Sequence, residues 1–254
     1  MFVRSLAFCL ALVTLPAAAQ NNFTITIHGK PAGKASYSIE KTKDGSHVKS
    51  KVSYHLSAGA VTPDDSAAPA KGRSAPAPGL AGDFQFILDY KLDANSSYAG
   101  GFITNMATLV NTSYSINKSH DQLFTSQSQA GGASLSIPMD IKPNFVMLPD
   151  CDPSALQSLL LQTVAHPAEK NLYLVYVPTN KADAEPLPAL WLTNQPDAHG
   201  TFDGKPITLH HFILRLYKSE FDIFADDTNT LMLATNTAFS AIYTRDGFVL
   251  TSVK

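Results

Sequence analysis

The sequence predicts a mainly β protein: a single curved antiparallel sheet or open barrel with one central α-helix. Three observations carry this. Most of the chain after residue 20 alternates apolar and polar side chains two by two, the mark of strands with one buried face. Short Gly- and Asp-rich turn signals separate these runs. A single segment, 153–166, has helical spacing, and a helix with an apolar stripe must lie on another apolar surface, which here can only be a sheet.

The first residues read as an export leader. Arg4 supplies the charged start, Leu6 to Leu15 the apolar stretch, and Ala17-Ala18-Ala19 after Pro16 the small-residue cleavage site. The stretch is too short to span a bilayer. Cys9 lies inside it, a poor place for lipid modification. The expected organisation is a signal peptide at 1–19 and a single β domain at 20–254, exported to the periplasm or secreted, with no membrane span in the mature chain.

About 235 residues then remain, enough for one sizeable core. Loss of Arg4 leaves 18 Lys and Arg against 21 Asp and Glu, a formal charge of −3. Such a chain has no basic field for nucleic acid. Cys151 is the one thiol left after processing, so no internal disulfide can form and burial alone must hold the fold.

Phe23, Ile25 and Ile27 alternate with polar residues as a first strand. A turn at 29–33 leads to Ala35, Tyr37 and Ile39. Lys43-Asp44-Gly45 is a hairpin signal leading to Val48, Val52, Tyr54 and Leu56. Together these form a meander with one wet face. Residues 58–82 are rich in Ala, Pro, Gly and Ser, and read as a disordered loop insertion rather than an inter-domain linker. Strands resume at Phe84 to Tyr90, then Thr108 to Ile116, Leu123 to Gln129, Leu135 to Pro138 and Phe145 to Leu148.

The helix follows. Asp152 can cap it, Pro153 suits its first position, and Leu156, Leu159, Leu160 and Val164 form its stripe before Pro167 ends it. The continuous apolar run Leu172 to Val177 implies cover on both faces, with the helix as the expected lid. Asn180 to Pro188 reads as a loop, Leu190 to Leu192 as a short strand, and Asp203-Gly204 as a turn into Ile207 to Tyr217. A last meander runs through Phe221 to Phe224, Leu231 to Thr235, Phe239 to Tyr243 and Phe248 to Val253.

Candidate chemistry is sparse. Cys151 sits between Asp150 and Asp152, whose charges oppose thiolate formation, and it has no base at hand in sequence. His210 and His211 are neighbours on a strand and point to opposite faces, so they cannot share one metal. Asp222, Asp226, Asp227 and Asn229 lack the alternate acids and the glycine of a calcium loop, and a β-turn accounts for the cluster. No nucleophile elbow, phosphate loop, zinc-protease signature or dinucleotide fingerprint is present. The expectation is therefore no catalytic set, no metal and no cofactor.

The opening Phe23-Thr-Ile-Thr-Ile-His-Gly-Lys-Pro-Ala-Gly33 hairpin, the closing Phe221-Asp-Ile-Phe-Ala-Asp-Asp-Thr-Asn-Thr-Leu231 run into Tyr243-Thr-Arg-Asp-Gly-Phe248, and the helix after Leu148-Pro-Asp resemble uncharacterised bacterial exported proteins of the DUF3108-like kind. That resemblance implies a shape like the periplasmic lipoprotein-carrier half-barrels. It supplies no catalytic or ligand residue, and the 58–82 insertion departs from it.

The functional expectation is an exported carrier or binder whose partner is an apolar small molecule such as a lipid or acyl chain. Phe145, Leu156, Leu160 and Val164 would line its cavity. Two alternatives stay open. One is an envelope scaffold or interaction protein with a plugged, ligand-free barrel. The other is a hydrolase with an Asp/His site assembled by the fold.

Overall fold

The structure, a computed structural model, describes residues 20–56, 82–94, 96, 98–107, 110–117, 122–129, 135–140, 145–147, 152–165, 172–176, 187–216, 219–237 and 240–253. For much of 98–147, and for 163–165, 172–176 and 187–192, it describes backbone alone. Residues 1–19, expected as a leader, Cys151, His166 and nearly all of 58–82 lie outside the described residues.

One sheet organises the chain. Its N-terminal half is a meander of β1 (Asn21–Ile27), β2 (Lys30–Thr42), β3 (Gly45–Leu56), β4 (Gly82–Asp93), β5 (Tyr98–Ala107), β6 (Val110–Asn117), β7 (Gln122–Gln129) and β8 (Leu135–Asp140). The chain then starts again at the far edge with β9 (Phe145–Met147), helix α1 (Pro153–Ala165) and β10 (Leu172–Tyr176). It works back through β11 (Leu187–Phe202), β12 (Lys205–Leu216), β13 (Ser219–Ala225), β14 (Leu231–Asn236) and β15 (Ala241–Arg245), which pairs with β1. A last strand, β16 (Phe248–Val253), leaves this path and pairs with β11. The pairs are antiparallel except β9–β10, whose parallel crossover carries α1.

The edge strands β8 and β9 are joined by residues 141–144 alone, a length of chain that spans at most about 18 Å. The end of one edge therefore lies close to the start of the other, and the sheet curls into an open barrel. The fold class expected from the sequence is thus the one observed.

Alternation fixes which face is inside. Phe23, Ile25 and Ile27 of β1, Ala35 and Tyr37 of β2, Val48 and Val52 of β3, and Phe86, Leu88 and Tyr90 of β4 are buried in one cluster with Ile223, Ala225, Leu231, Ala234 and Tyr243. Ala155, Leu156, Leu159 and Leu160 of α1 belong to the same cluster, so the helix lies within the concave face. A second, smaller core covers the outer face of β13 and β14. There Phe224, Met232 and Leu233 meet Ala198, Leu209 and Phe248.

Three details differ from the sequence reading. The first turn is His28-Gly29 and not 29–33. Both residues have positive φ, 49° and 73°, which suits a two-residue hairpin, and β2 already begins at Lys30. Strand β5 was not expected, since the sequence pattern assigns no strand between Tyr90 and Thr108. Gly101 lies against β4 where a Cβ would come within 2.3 Å of Tyr90 Cα, so only glycine fits. Strand β11 is long, not three residues: it runs through Pro196, and a register shift between Gln195 and Ala198 accommodates that proline. The segment expected as an insertion, 58–82, connects two paired neighbours, with Leu56 opposite Gly82.

Candidate functional site

Among the described residues, the seat of α1 is the most elaborated polar feature of the barrel interior. Asp152 caps the helix as its sequence position suggests: Oδ1 accepts from Ser154 N at 2.8 Å. It does more than cap. Ser154 Oγ donates to Oδ2 at 2.9 Å, and Ser50 Oγ, from β3, donates to Oδ1 at 3.0 Å. The carboxyl is buried, and burial pushes its pKa up to about 6 against the opposing pull of the Ser154 and Ser50 hydrogen bonds.

One turn further on, Gln157 ties both halves of the sheet to the helix. Its Oε1 accepts from Tyr37 Oη on β2 at 2.9 Å and from Leu231 N on β14 at 2.8 Å, while its Nε2 donates to Asn229 O at 2.7 Å. Tyr90 Oη on β4 meets Ser158 Oγ at 2.7 Å, and Ser158 Oγ also reaches Ser154 O at 2.9 Å. Burial holds the Tyr37 hydroxyl far above the usual phenol range, the nearby Arg245 charge opposing it, so it stays protonated and donates to Gln157.

Every residue from Asp152 to Leu160 is buried, polar ones included. Leu156 and Leu160, expected to line a cavity, are 2% and 1% exposed and pack in the main core. Phe145 lies on β9 and Val164 on α1, and their side chains fall outside the described residues. The helix meets β2, β14 and β9 most closely.

The outer face carries an open groove of about 420 Å³ over β1, β2 and β3. Asn22, Lys34, Ser36, Lys51, Ser53 and Asp246 line it, and Asp246 already accepts from Thr24 Oγ1 at 3.0 Å. Phe23 and Ala35 also border it, so the lining is mixed with polar side chains in the majority.

Histidine–carboxylate pairs also stud the outer surface. The most enclosed joins His211 Nε2 on β12 to Asp222 Oδ1 on β13 at 2.9 Å, with Thr235 Oγ1 donating to Asp222 Oδ2 at 3.2 Å. The ring stacks on Phe224 at 4.3 Å, and its Nδ1 is buried without a partner among the described residues. This is the orienting half of an acid–base pair, but among the described residues no hydroxyl or thiol bonds to the imidazole to be activated. His210 points the other way, 3.6 Å from Asp197, as the strand alternation requires. His47–Asp89 at 2.6 Å and His55–Asp83 at 2.8 Å stand separately on β3 and β4.

Among the described residues no three His, Cys, Asp or Glu gather as metal ligands. Asp226 is used locally, accepting from Thr228 N, Thr228 Oγ1 and Thr230 N, which makes the 226–230 segment a turn. Register alone brings His211, Asp222 and Thr235 together, and nothing in their sequence spacing announces it. Ser50 and Gln157 were equally unforeseen, since each reads as an ordinary polar residue.

No family model matches the chain, so its resemblance to DUF3108-like proteins goes no further than the opening and closing motifs. No curated protein matches it. Among solved structures it is similar to a β-barrel-like protein of a domain of unknown function, DUF1849, from Brucella abortus. That match has a TM-score of 0.49 and 9% identity, and it covers 92% of this chain and 98% of the other.

Proposed function

We propose that this chain is an exported scaffold or interaction module of the bacterial envelope, a β-barrel-like body whose interior is filled by its own helix. One observation carries this reading. The helix residues that face away from the apolar stripe, Ser154, Gln157 and Ser158, are buried and hydrogen-bonded to the strands around them, so this part of the helix offers no lining to a guest among the described residues. Export rests on the leader pattern at 1–19.

Native mass spectrometry of the exported protein from a mild extract tests both parts. The expected result is the bare mass of a chain beginning at Gln20. A small molecule held in stoichiometric amount would overturn the plugged reading, and a retained leader would overturn export.

A carrier for an apolar ligand is the second reading, favoured by one feature. Much of the helix's grip is through hydrogen bonds that water can replace, at Ser50, Tyr37 and Tyr90. Under that reading the helix leaves its seat to admit the ligand, and a retained lipid is the result it requires.

A further inference from the structure

The outer face of β1, β2 and β3 is a regular grid of polar side chains. Register sets Lys34 of β2 opposite Ser53 of β3 and Ser36 opposite Lys51, while Asn22 of β1 lies opposite Ser36. Ala35 and Val52, between them in sequence, are buried on the inner face, so the polar residues point outward together. The pairing is regular here: the shift between β1 and β2 falls further on, at Ile25 and Thr26, and β2–β3 has none. Lys34 and Lys51 are therefore diagonal neighbours, with Cβ atoms roughly 7–8 Å apart, and both ammonium groups can close on one ligand group. Neither forms an ion pair among the described residues. Two cations so placed repel each other until an anion comes between them.

The groove of about 420 Å³ joins this pair to Asp246, past the hydroxyls of Ser36 and Ser53 and the amide of Asn22. Asp246 is fixed in place: Oδ1 accepts from Thr24 Oγ1 at 3.0 Å, and its N–H donates to Asn22 O at 2.9 Å. It lies three strand spacings from Lys51, about 14 Å.

We propose that this groove binds a phosphorylated saccharide, its phosphate between Lys34 and Lys51 and its hydroxyls against Ser36, Ser53, Asn22 and Asp246. The charge of the pair sets the first half of this assignment. A phosphate monoester carries about −1.5 to −2 at neutral pH and matches two ammonium groups, whereas a carboxylate matches one. Asp246 sets the second half. A carboxylate only accepts, so the far end of the ligand must donate, and a bare phosphate ion reaches no further than the lysines. Serine and asparagine side chains donate and accept, as sugar hydroxyls do. The site lies outside the barrel, so it stands whether or not α1 fills the interior. The lysines are exposed and the groove is open, so binding is weak, with a dissociation constant of roughly 0.1–1 mM.

Amide NMR titration of the chain from Gln20 with glucose 6-phosphate reads both affinity and place. The expected result is saturable shift changes confined to residues around 22, 34–36, 51–53 and 246, with inorganic phosphate weaker and glucose without effect. The double variant Lys34→Gln, Lys51→Gln should bind about tenfold more weakly or worse. Lys41→Gln, Lys205→Gln removes the same charge away from the groove and should bind as the parent does, and an unchanged spectrum elsewhere is the control for folding. Asp246→Ala should lower the preference for glucose 6-phosphate over inorganic phosphate by about threefold or more. Equal binding of glucose 6-phosphate and inorganic phosphate, shift changes away from the groove, or equal losses in the two lysine pairs overturns the proposal. So does binding only to phosphatidylcholine vesicles that carry phosphatidate, which would make the lysines a contact for a membrane surface.

Discussion

Replacing Asp152 by Asn should stabilise this protein at neutral pH, although the carboxylate caps a helix and accepts three hydrogen bonds. The reason is its burial. In the unfolded chain the group titrates near the model value of 3.8, and in the fold it is raised to about 6. Between these values the native state holds a proton that the unfolded state has lost. A raised carboxyl contributes fully below about pH 4, and its contribution is lost as pH rises through 6. A shift of about two pH units corresponds to about 3 kcal/mol. The amide keeps an oxygen for Ser154 N and the Ser50 hydroxyl, and the Ser154 hydroxyl can rotate to accept from its NH₂. The two proteins should therefore be equally stable, to within about 1 kcal/mol, near pH 4. By pH 7 the Asn variant should lead by about 3 kcal/mol. Urea unfolding of both, in steps of pH at constant ionic strength, gives the difference directly and cancels the titration of every other carboxylate. A difference that stays flat from pH 4 to 7, or one that grows in favour of Asp, would refute the account of a dry, desolvated helix seat.

Other perturbations follow from the same geometry, each read by urea unfolding. Gln157→Leu strands Tyr37 Oη, Leu231 N and Asn229 O together and should cost at least about 3 kcal/mol. Tyr37→Phe leaves the Leu231 and Asn229 bonds intact and should cost only about 1 kcal/mol, so near-equal losses would contradict the shared role of Gln157. Leu159→Ala opens a hole in the fully buried face of α1 and should cost about 2–5 kcal/mol. Gly200→Ala drives a methyl into the Phe248 ring and should cost about 1–3 kcal/mol, with loss of protection confined at first to β16.

How much of this was legible depends on range. Alternation placed Phe23, Ile25 and Ile27, and Phe84 to Tyr90, on the inner face, because period two is a local property of a strand. Asp152 and Pro153 marked the start of the helix for the same local reason. The 16-residue β11 was hidden, since Pro196 and the polar run around it look like a loop until a bulge and two partner strands support them. Gly101 and Gly200 are places where another element comes too close for a side chain, which their sequence neighbours do not announce. The polar side of α1 was the deepest gap. Nothing in the sequence around Gln157 and Ser158 announces their partners, which come from Tyr37 of β2, Tyr90 of β4, Leu231 of β14 and Asn229. The His211–Asp222–Thr235 set needs the registers of three strands at once. Any function that such distant residues share is invisible to spacing in sequence.

Native-state hydrogen exchange across residues 153–162 tests the central claim most directly. If the helix fills the barrel, the amides of Leu156 to Gln162 exchange only by global unfolding. Their denaturant dependence then matches that of β1 to β3. Exchange of the helix at a distinctly lower free energy than those strands would show that it leaves its seat while the sheet stays folded, and would contradict the plugged barrel.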